Sequence, residues 1–332
     1  MVTIKEIAKQ ANVSIATVSK IINGLDNHIS DNTIIRVKKV IEENNYVPNS
    51  VARGLKTKIT NTLGFILPDI ANPYYSEIAR GIEDAAITRD FSVIFCDTDD
   101  TLENENRSIN LLKSKMVDGI IFSRVLENIR ENEDENRVGA NIPVVIVDRV
   151  IEDDIPENYG RVYVDVKRTI YCSTKKLAEA GCRNIAIISK KWDNKNNRYY
   201  GFIDALKELG LKHDKLREYL GGFDITTGYE GIKKILQSEV NVDGVVCGND
   251  LIAIGVLDAL NEMKVKVPEK IKVIGLDNIY FANYTNPKLS TMEQPTYEMG
   301  KAAANMLIDF IIDGSPMSTR IFDHKYIERE TV

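Results

Sequence analysis

From residue 61 onward the chain repeats one pattern: a short, continuously apolar run, then a longer stretch with helical periodicity, then another apolar run. The runs Leu63–Leu67, Val93–Cys96, Gly119–Phe122 and Val144–Val147 alternate with helical stretches near Tyr74–Arg89 and Leu102–Lys115. After a break the rhythm restarts with Ile185–Ser189, Asp243–Cys247 and Lys272–Leu276, again with helices between. A strand that is apolar on every residue must have both faces covered, and crossover helices joining parallel neighbours provide that cover. The predicted fold class is therefore α/β with parallel sheets. Two such series in one chain predict two similar lobes with a cleft between them. Ligands of open parallel sheets collect beyond the carboxyl ends of the strands.

The first sixty residues follow a different rule. Thr3 followed by Glu6 forms a capping box that opens a helix through about Gln10, with Ile4, Ile7 and Ala8 as its apolar stripe. A turn at Ala11-Asn12-Val13 follows, and Ser14 caps a second helix that Asn23-Gly24 stops near Ile22. Ser30 caps a third, with Ile34, Val37 and Ile41 on one face. Two helices joined by a short turn and crossed by a third are a helix-turn-helix, although periodicity alone also admits any small three-helix module.

Charge divides at the same place. The whole chain carries 43 Lys and Arg against 49 Asp and Glu, a net −6 that on average disfavours nucleic acid and anionic membrane. Residues 1–60 hold nine of the bases and five of the acids, so they are +4 and the remainder is −10. On the second helix Val18 and Ile21 turn to the core, leaving Ile15, Ala16, Thr17, Ser19 and Lys20 facing outward. Small residues at 15–17 let a backbone approach base edges, Ile15 suits a thymine methyl, and Lys20 donates to guanine or phosphate. Ser14, Ser19 and Asn23 suit phosphate oxygens.

The run TIKEIAKQANVSIATVSKIING, followed by NHISDNTIIRVKKVIEENNYVPNSVARGLKT, closely resembles the DNA-binding headpiece of the LacI/GalR transcription regulators. Lys20 departs from the arginine more usual there and gives up the bidentate fork. The resemblance implies that Pro48–Lys56, which taken alone reads as a marginal helix or a linker, is a hinge helix that orders on DNA. Leu55 of each subunit would then wedge into the minor groove, and Lys56 would contact phosphate. Thr3, His28, Ser30, Asn49 and Ala52 complete the expected DNA-contacting set. The implied organisation is a headpiece at 1–46, a hinge at 47–60 and an effector-binding and dimerisation domain at 61–332. Its N-lobe spans about 61–160 plus 292–320, and its C-lobe about 161–291 plus 321–332.

Several predicted strand ends carry polar or aromatic groups: Asn72-Pro73-Tyr74-Tyr75, Asp148-Arg149, Asn249-Asp250 and Asp277-Asn278. Arg198, Phe223 and Gln294 lie in neighbouring connections. Carboxylates, amides and guanidinium groups bond vicinal hydroxyls, and aromatic faces cover the C–H side of a ring, a chemistry suited to a sugar. A carboxylate at a strand end is, equally, an ordinary helix cap. The resemblance implies an effector domain like the periplasmic sugar-binding proteins. There the equivalents of Asn72, Tyr74, Tyr75, Asp148, Arg149, Arg198, Phe223, Asn249, Asp277 and Gln294 hold the sugar, with Tyr here for the usual Phe. Asp165-Val166 and Gly181-Cys182 depart from the family's Asp-Asn and Gly-His, and Val125–Arg137 resembles nothing specific.

An enzyme is not expected. His28, His213 and His324 are scattered, no Walker, G-x-G-x-x-G or G-x-S-x-G motif is present, and Asp97-Thr98-Asp99-Asp100 reads as a solvated loop rather than a metal site. Cys96, Cys172, Cys182 and Cys247 are widely spaced, as in a reducing cytosol. The expectation is a soluble cytoplasmic regulator, a repressor of sugar-utilisation genes, without metal or cofactor. Its partners are double-stranded operator DNA, a monosaccharide or sugar derivative, and a second copy of itself, with no membrane partner. The alternative is a catabolite-control type of regulator docked by a phosphorylated carrier protein, whose flanking helix here offers Arg80 and Arg89.

Overall fold

The structure, a computed structural model, describes residues 2–22, 24–46, 59–125, 138–139, 142–150, 158–191 and 197–332. The chain divides into two compact units, Met1–Thr60 and Asn61–Val332.

The first unit contains α1 (Ile4–Gln10), α2 (Ile15–Ile22) and α3 (Asp31–Glu43). The capping box is present: Thr3 N donates to Glu6 Oε2 at 2.7 Å, and Glu6 N donates to Thr3 Oγ1 at 3.4 Å. Asn12 turns the chain at φ 51°, a left-handed conformation that asparagine tolerates. Ser14 caps α2 by accepting from Thr17 N at 3.0 Å. Ser30 differs from expectation. It occupies the N-cap position of α3, but its hydroxyl pairs with the Thr33 hydroxyl at 2.9 Å and makes no bond to backbone N–H. Ile7, Ala8, Ala11, Val18, Ile21 and Val37 form the core, with Ile4, Ile34 and Ile41 packed against it. The side-chain amides of Gln10 and Asn44 bond each other at 3.2 and 2.8 Å and tie α1 to the end of α3.

The second unit is built on two six-stranded sheets. In the first, β1 (Thr62–Leu67), β2 (Ser92–Asp97), β3 (Gly119–Phe122), β4 (Val144–Val147), β5 (Gly160–Val164) and β11 (Thr319–Phe322) run in the order β11-β5-β4-β3-β1-β2, every pair parallel. The second has β6 (Ile185–Lys190), β7 (Glu218–Gly221), β8 (Gly244–Cys247), β9 (Lys272–Asp277), β10 (Ser290–Glu293) and β12 (Lys325–Ile327) in the order β12-β10-β9-β8-β6-β7, with only β12 antiparallel. Helices α4 (Pro73–Ile87), α5 (Leu102–Ser114) and α10 (Thr296–Asp313) cover the first sheet. Helices α6 (Val166–Glu179), α7 (Asn197–Glu208), α8 (Ile225–Gln237) and α9 (Asp250–Glu262) cover the second. Residues alternate between two cores along each strand. On β1, Leu63, Phe65 and Leu67 enter one core and Ile66 the other.

The chain passes between lobes after Val164, after Glu293 and after Phe322, a few residues beyond the divisions drawn at 160, 291 and 320. Strand β5 pairs with β4 through Val162 and with β11 through Val164 although Arg161 interrupts its apolar pattern, so the sequence shows no continuous run there. Strands β7, β10, β11 and β12 also went unread. Each is only three or four residues long, and β11 is mostly exposed.

Helices α8 and α9 touch backbone to backbone. A Cβ on Gly228 would lie 1.9 Å from Ile252 O, and one on Gly255 would lie 1.9 Å from Ile225 O. Main chain cannot move aside as a flexible side chain does. Gly228→Ala is therefore expected to lower stability by about 3 kcal/mol, the upper range for overpacking. A denaturant midpoint equal to wild type would show that these helices are free to separate.

Candidate functional site

In the first unit α2 sorts its residues as the sequence implies. Val18 and Ile21 are buried, while Ile15 is 44% exposed and Ala16 and Lys20 face solvent. An isoleucine left exposed on a basic unit, beside small side chains, is a surface suited to base edges. Ser19 is half-buried. So is Thr17, whose hydroxyl lies 2.9 Å from that of Ser14, so this side chain helps to close the cap. Thr3, Ser14, His28 and Ser30 are exposed. Asn23, Asn49, Ala52, Leu55 and Lys56 lie outside the described residues.

In the second unit the ten expected effector residues are gathered at the carboxyl ends of strands from both lobes. Asn72 caps α4, accepting from Tyr74 N at 3.1 Å, and so sets the first turn that carries Tyr74 and Tyr75. Those two rings meet edge to face, with centroids 5.0 Å apart. Asp148 and Arg149 follow β4 with φ of 58° and 44°, a left-handed bend that carries the chain off the sheet. Tyr75 OH donates to Asp148 Oδ2 at 3.1 Å. Arg149 donates to Arg124 O at 3.1 Å and to Asp100.

The C-lobe contributes an aromatic face. The Phe223 ring has the Arg198 guanidinium 4.7 Å from its centroid, with Lys190 at 5.7 Å and, from the other lobe, Arg149 at 5.9 Å. All three are within cation–π range. Arg198 Nε donates to Gly248 O at 3.0 Å. Asn249 caps α9, accepting from Ile252 N at 2.9 Å, while its amide donates to Phe223 O at 3.2 Å. Gln294 Nε2 donates to Asp277 Oδ1 at 2.7 Å. Tyr74, Asp277 and Gln294 line a cavity of about 320 Å³ with Glu77, Tyr280 and Tyr297. Asn72 and Asn249 are thus the helix caps that their place at strand ends allows.

Electrostatics set the protonation of this region. Burial pushes the Asp277 carboxyl well above the usual range, reinforced by neighbouring Asp250 and opposed by Arg198. Asp250, fully buried, is pushed up to about 7 by burial against the opposing bonds from Thr291 OH at 2.6 Å and Ile279 N at 2.8 Å. For Asp100 burial acts upward too, but Arg149 and Lys190 outweigh it and hold the carboxyl below its ordinary value.

Asp100 and Lys190 were missed from sequence. Asp100 accepts from Arg149 in its own lobe and from Lys190 at the end of β6, and so ties the lobes across the cleft. Its acidic loop is not wholly solvated, since the Asp100 side chain is only 25% exposed. The available signal was its place just beyond the end of β2, where the strand-end rule applies. Ser189, Ser123 and Thr98, all fully buried at strand ends, were missed for the same reason. Asp165 is the N-cap of α6 at the first crossing, accepting from Arg168 N at 2.9 Å, and Cys182 Sγ donates to Asp243 O at 3.2 Å. Of the two cations on the N-lobe flank, Arg89 is paired with Asp309 at 3.0 Å. Among the described residues no helix is long and apolar enough to cross a membrane.

Comparison with known proteins agrees with both units. Residues 3–49 match the bacterial regulatory proteins of the lacI family, and residues 174–332 match a periplasmic binding protein-like domain. The HTH-type transcriptional regulator RegA of Clostridium saccharobutylicum is 37% identical over 99% of this chain and 98% of its own length. The ribose operon repressor of Halalkalibacterium halodurans is 33% identical over 100% of this chain and 97% of its own. The structure of a LacI family transcriptional regulator from Enterococcus faecium with bound ribose superposes with a TM-score of 0.70 at 28% identity, covering 82% of this chain and 98% of that one. With relatives this similar along nearly their whole length, the chain belongs to the lacI family of bacterial regulatory proteins and is a DNA-binding transcription regulator with an effector-binding domain.

Proposed function

We propose that the protein is a cytoplasmic repressor of sugar-utilisation genes that binds its operator as a homodimer and responds to a monosaccharide, or a derivative of one, held between its lobes. The observation that carries this reading is the Phe223 face, flanked by Arg198 and Lys190 from one lobe and Arg149 from the other. An aromatic plane bordered by cationic hydrogen-bond donors and, at Asp148 and Asp277, by carboxyl groups fits a hydroxylated ring. Relatives named as a ribose operon repressor and as a ribose-bound regulator support it. Pairing follows from symmetry, since two headpieces on a pseudo-palindromic site require a two-fold axis. The exposed aromatics Tyr280, Phe281 and Tyr284 offer apolar surface for that contact.

The ligand acts by linkage. A sugar changes operator affinity only as far as it prefers one lobe arrangement over another. Bridging groups such as Asp100 and Lys190 are where that preference is set. The test is a thermal-shift screen of the full chain with pentoses, hexoses and their phosphates, followed by operator binding with and without each hit. A sugar at 100 times its Kd should add about 2.7 kcal/mol to stability, and the same sugar should change operator affinity at least about tenfold. DNA binding that no screened sugar alters, with no shift in melting, would overturn the proposal.

A further inference from the structure

Three cations surround the Phe223 ring: Arg198, Lys190 and Arg149 lie 4.7, 5.7 and 5.9 Å from its centroid. Like charges gathered in this way repel one another and draw an anion. The side chains of Arg149 and Lys190 are only 4% and 11% exposed, so bulk salt and water screen them little. Taken alone, such a cluster would suit a phosphate or a carboxylate. The chain itself supplies the anion. Asp100, from the loop beyond β2, accepts from Arg149 of its own lobe and from Lys190 of the other. Burial acts upward on its carboxyl, but the two cations outweigh burial and keep it charged. Backbone holds the residue in place. Asp99 and Asp100 take left-handed φ of 48° and 53°, which aspartate tolerates, and Asp100 N donates to Pro68 O at 2.8 Å. The neighbouring carboxyls are engaged otherwise: burial drives Asp277 toward its protonated form, and Asp148 accepts from Tyr75 OH.

A carboxylate bonded to two cations changes what a ligand meets there. An incoming phosphate would have to displace Asp100 from Arg149 and Lys190 and leave one negative charge beside another. A neutral hydroxyl adds no charge and leaves both ion pairs in place. We propose that Asp100 is a specificity-determining residue that fixes the charge of the effector: as a built-in counter-ion it takes the place of an anionic ligand group, so the cleft accepts uncharged sugars and rejects phosphorylated or carboxylated ones. The proposal rests on the reading that the effector binds at the Phe223 face.

The first probe is inorganic phosphate, which requires no knowledge of the sugar. Asp100→Asn keeps the side-chain shape and removes the charge. In the full chain carrying it, about 10 mM phosphate should raise the melting temperature by about 3 °C or more beyond sodium chloride of equal ionic strength, with no such rise in wild type. Adding Lys190→Gln to Asp100→Asn removes one of the two cations and should abolish the response. The second arm is calorimetry with D-ribose, D-galactose and D-glucose, then the monophosphate of whichever binds best. Wild type should bind the sugar at least about tenfold more tightly than its phosphate, and Asp100→Asn should shift that ratio at least about tenfold toward the phosphate. An equal phosphate response in wild type and variant, or none in a folded Asp100→Asn, would overturn the proposal. So would wild type binding the sugar phosphate as tightly as the sugar, an outcome independent of whether the variant folds. If no sugar binds wild type while phosphate acts on the variant as expected, the sugar reading falls and the charge-setting role of Asp100 stands.

Discussion

Arg198→Ala is expected to abolish the effector response while leaving DNA binding in the absence of ligand intact. The guanidinium stands 4.7 Å from the Phe223 centroid and donates to Gly248 O at 3.0 Å, so it is both oriented and buried where the two lobes meet. Losing charge-assisted hydrogen bonds to a ligand and a desolvated cation–π contact removes about 3 kcal/mol, or roughly 100-fold in affinity. Arg198→Lys separates charge from geometry, because the ammonium keeps the positive charge but not the planar fork. The measurement is ligand affinity together with ligand-induced release of operator, on protein whose melting confirms folding. An unchanged response in the alanine variant would remove this residue from the site.

The second large effect is a dependence of stability on pH that runs against ordinary acid denaturation. Asp250 is fully buried and its carboxyl is pushed up to about 7. A carboxyl whose folded pKa exceeds its unfolded value, about 3.9, binds its proton more tightly in the folded state. Its contribution is complete below the unfolded value and is lost as pH rises toward 7, with a slope approaching about 1.4 kcal/mol per pH unit. His324 has the opposite sign: burial, aided by Arg168, lowers its pKa, so stability is lost as pH falls through the unfolded histidine value. Only a difference measurement isolates Asp250. Asp250→Asn keeps the shape and cannot ionise, so its stability relative to wild type should rise by a few kcal/mol between pH 4 and 7. A difference that stays flat across that range would mean that Asp250 is ionised in the folded protein, held by Thr291 OH and Ile279 N.

The same two residues show how much of the site could be read in advance. Arg198 was visible because a guanidinium opening a helix beyond a parallel strand stands where ligands collect. Asp250 was visible as a strand-end acid, but the bonds from Thr291 and Ile279 that oppose the effect of its burial come from 41 and 29 residues away in sequence. Asp100 and Lys190 are 90 residues apart, so nothing local marks them as partners. Ser30 was read as a cap from its type and position, but whether its hydroxyl meets a backbone N–H or the neighbouring Thr33 is settled by rotamer packing.

Sequence by itself determined the parts governed by local physics. Capping boxes, helical periodicity and continuously apolar strands are short-range patterns, and they placed the three headpiece helices, the two α/β series and the basic-to-acidic change near residue 60. Tertiary structure decided the rest. Where the chain passes between lobes depends on pairings such as Thr319 with Arg161, far apart in sequence. Which polar atoms are satisfied depends on what the fold brings near them. Tyr74 and Gln294 stand out in the sequence as candidate site residues, but that the Tyr74 hydroxyl and the Gln294 amide oxygen are both buried with no hydrogen-bond partner among the described residues is decided by the fold. Hydrogen-bond satisfaction and desolvation are properties of an assembled neighbourhood, and that neighbourhood exists only in the folded chain.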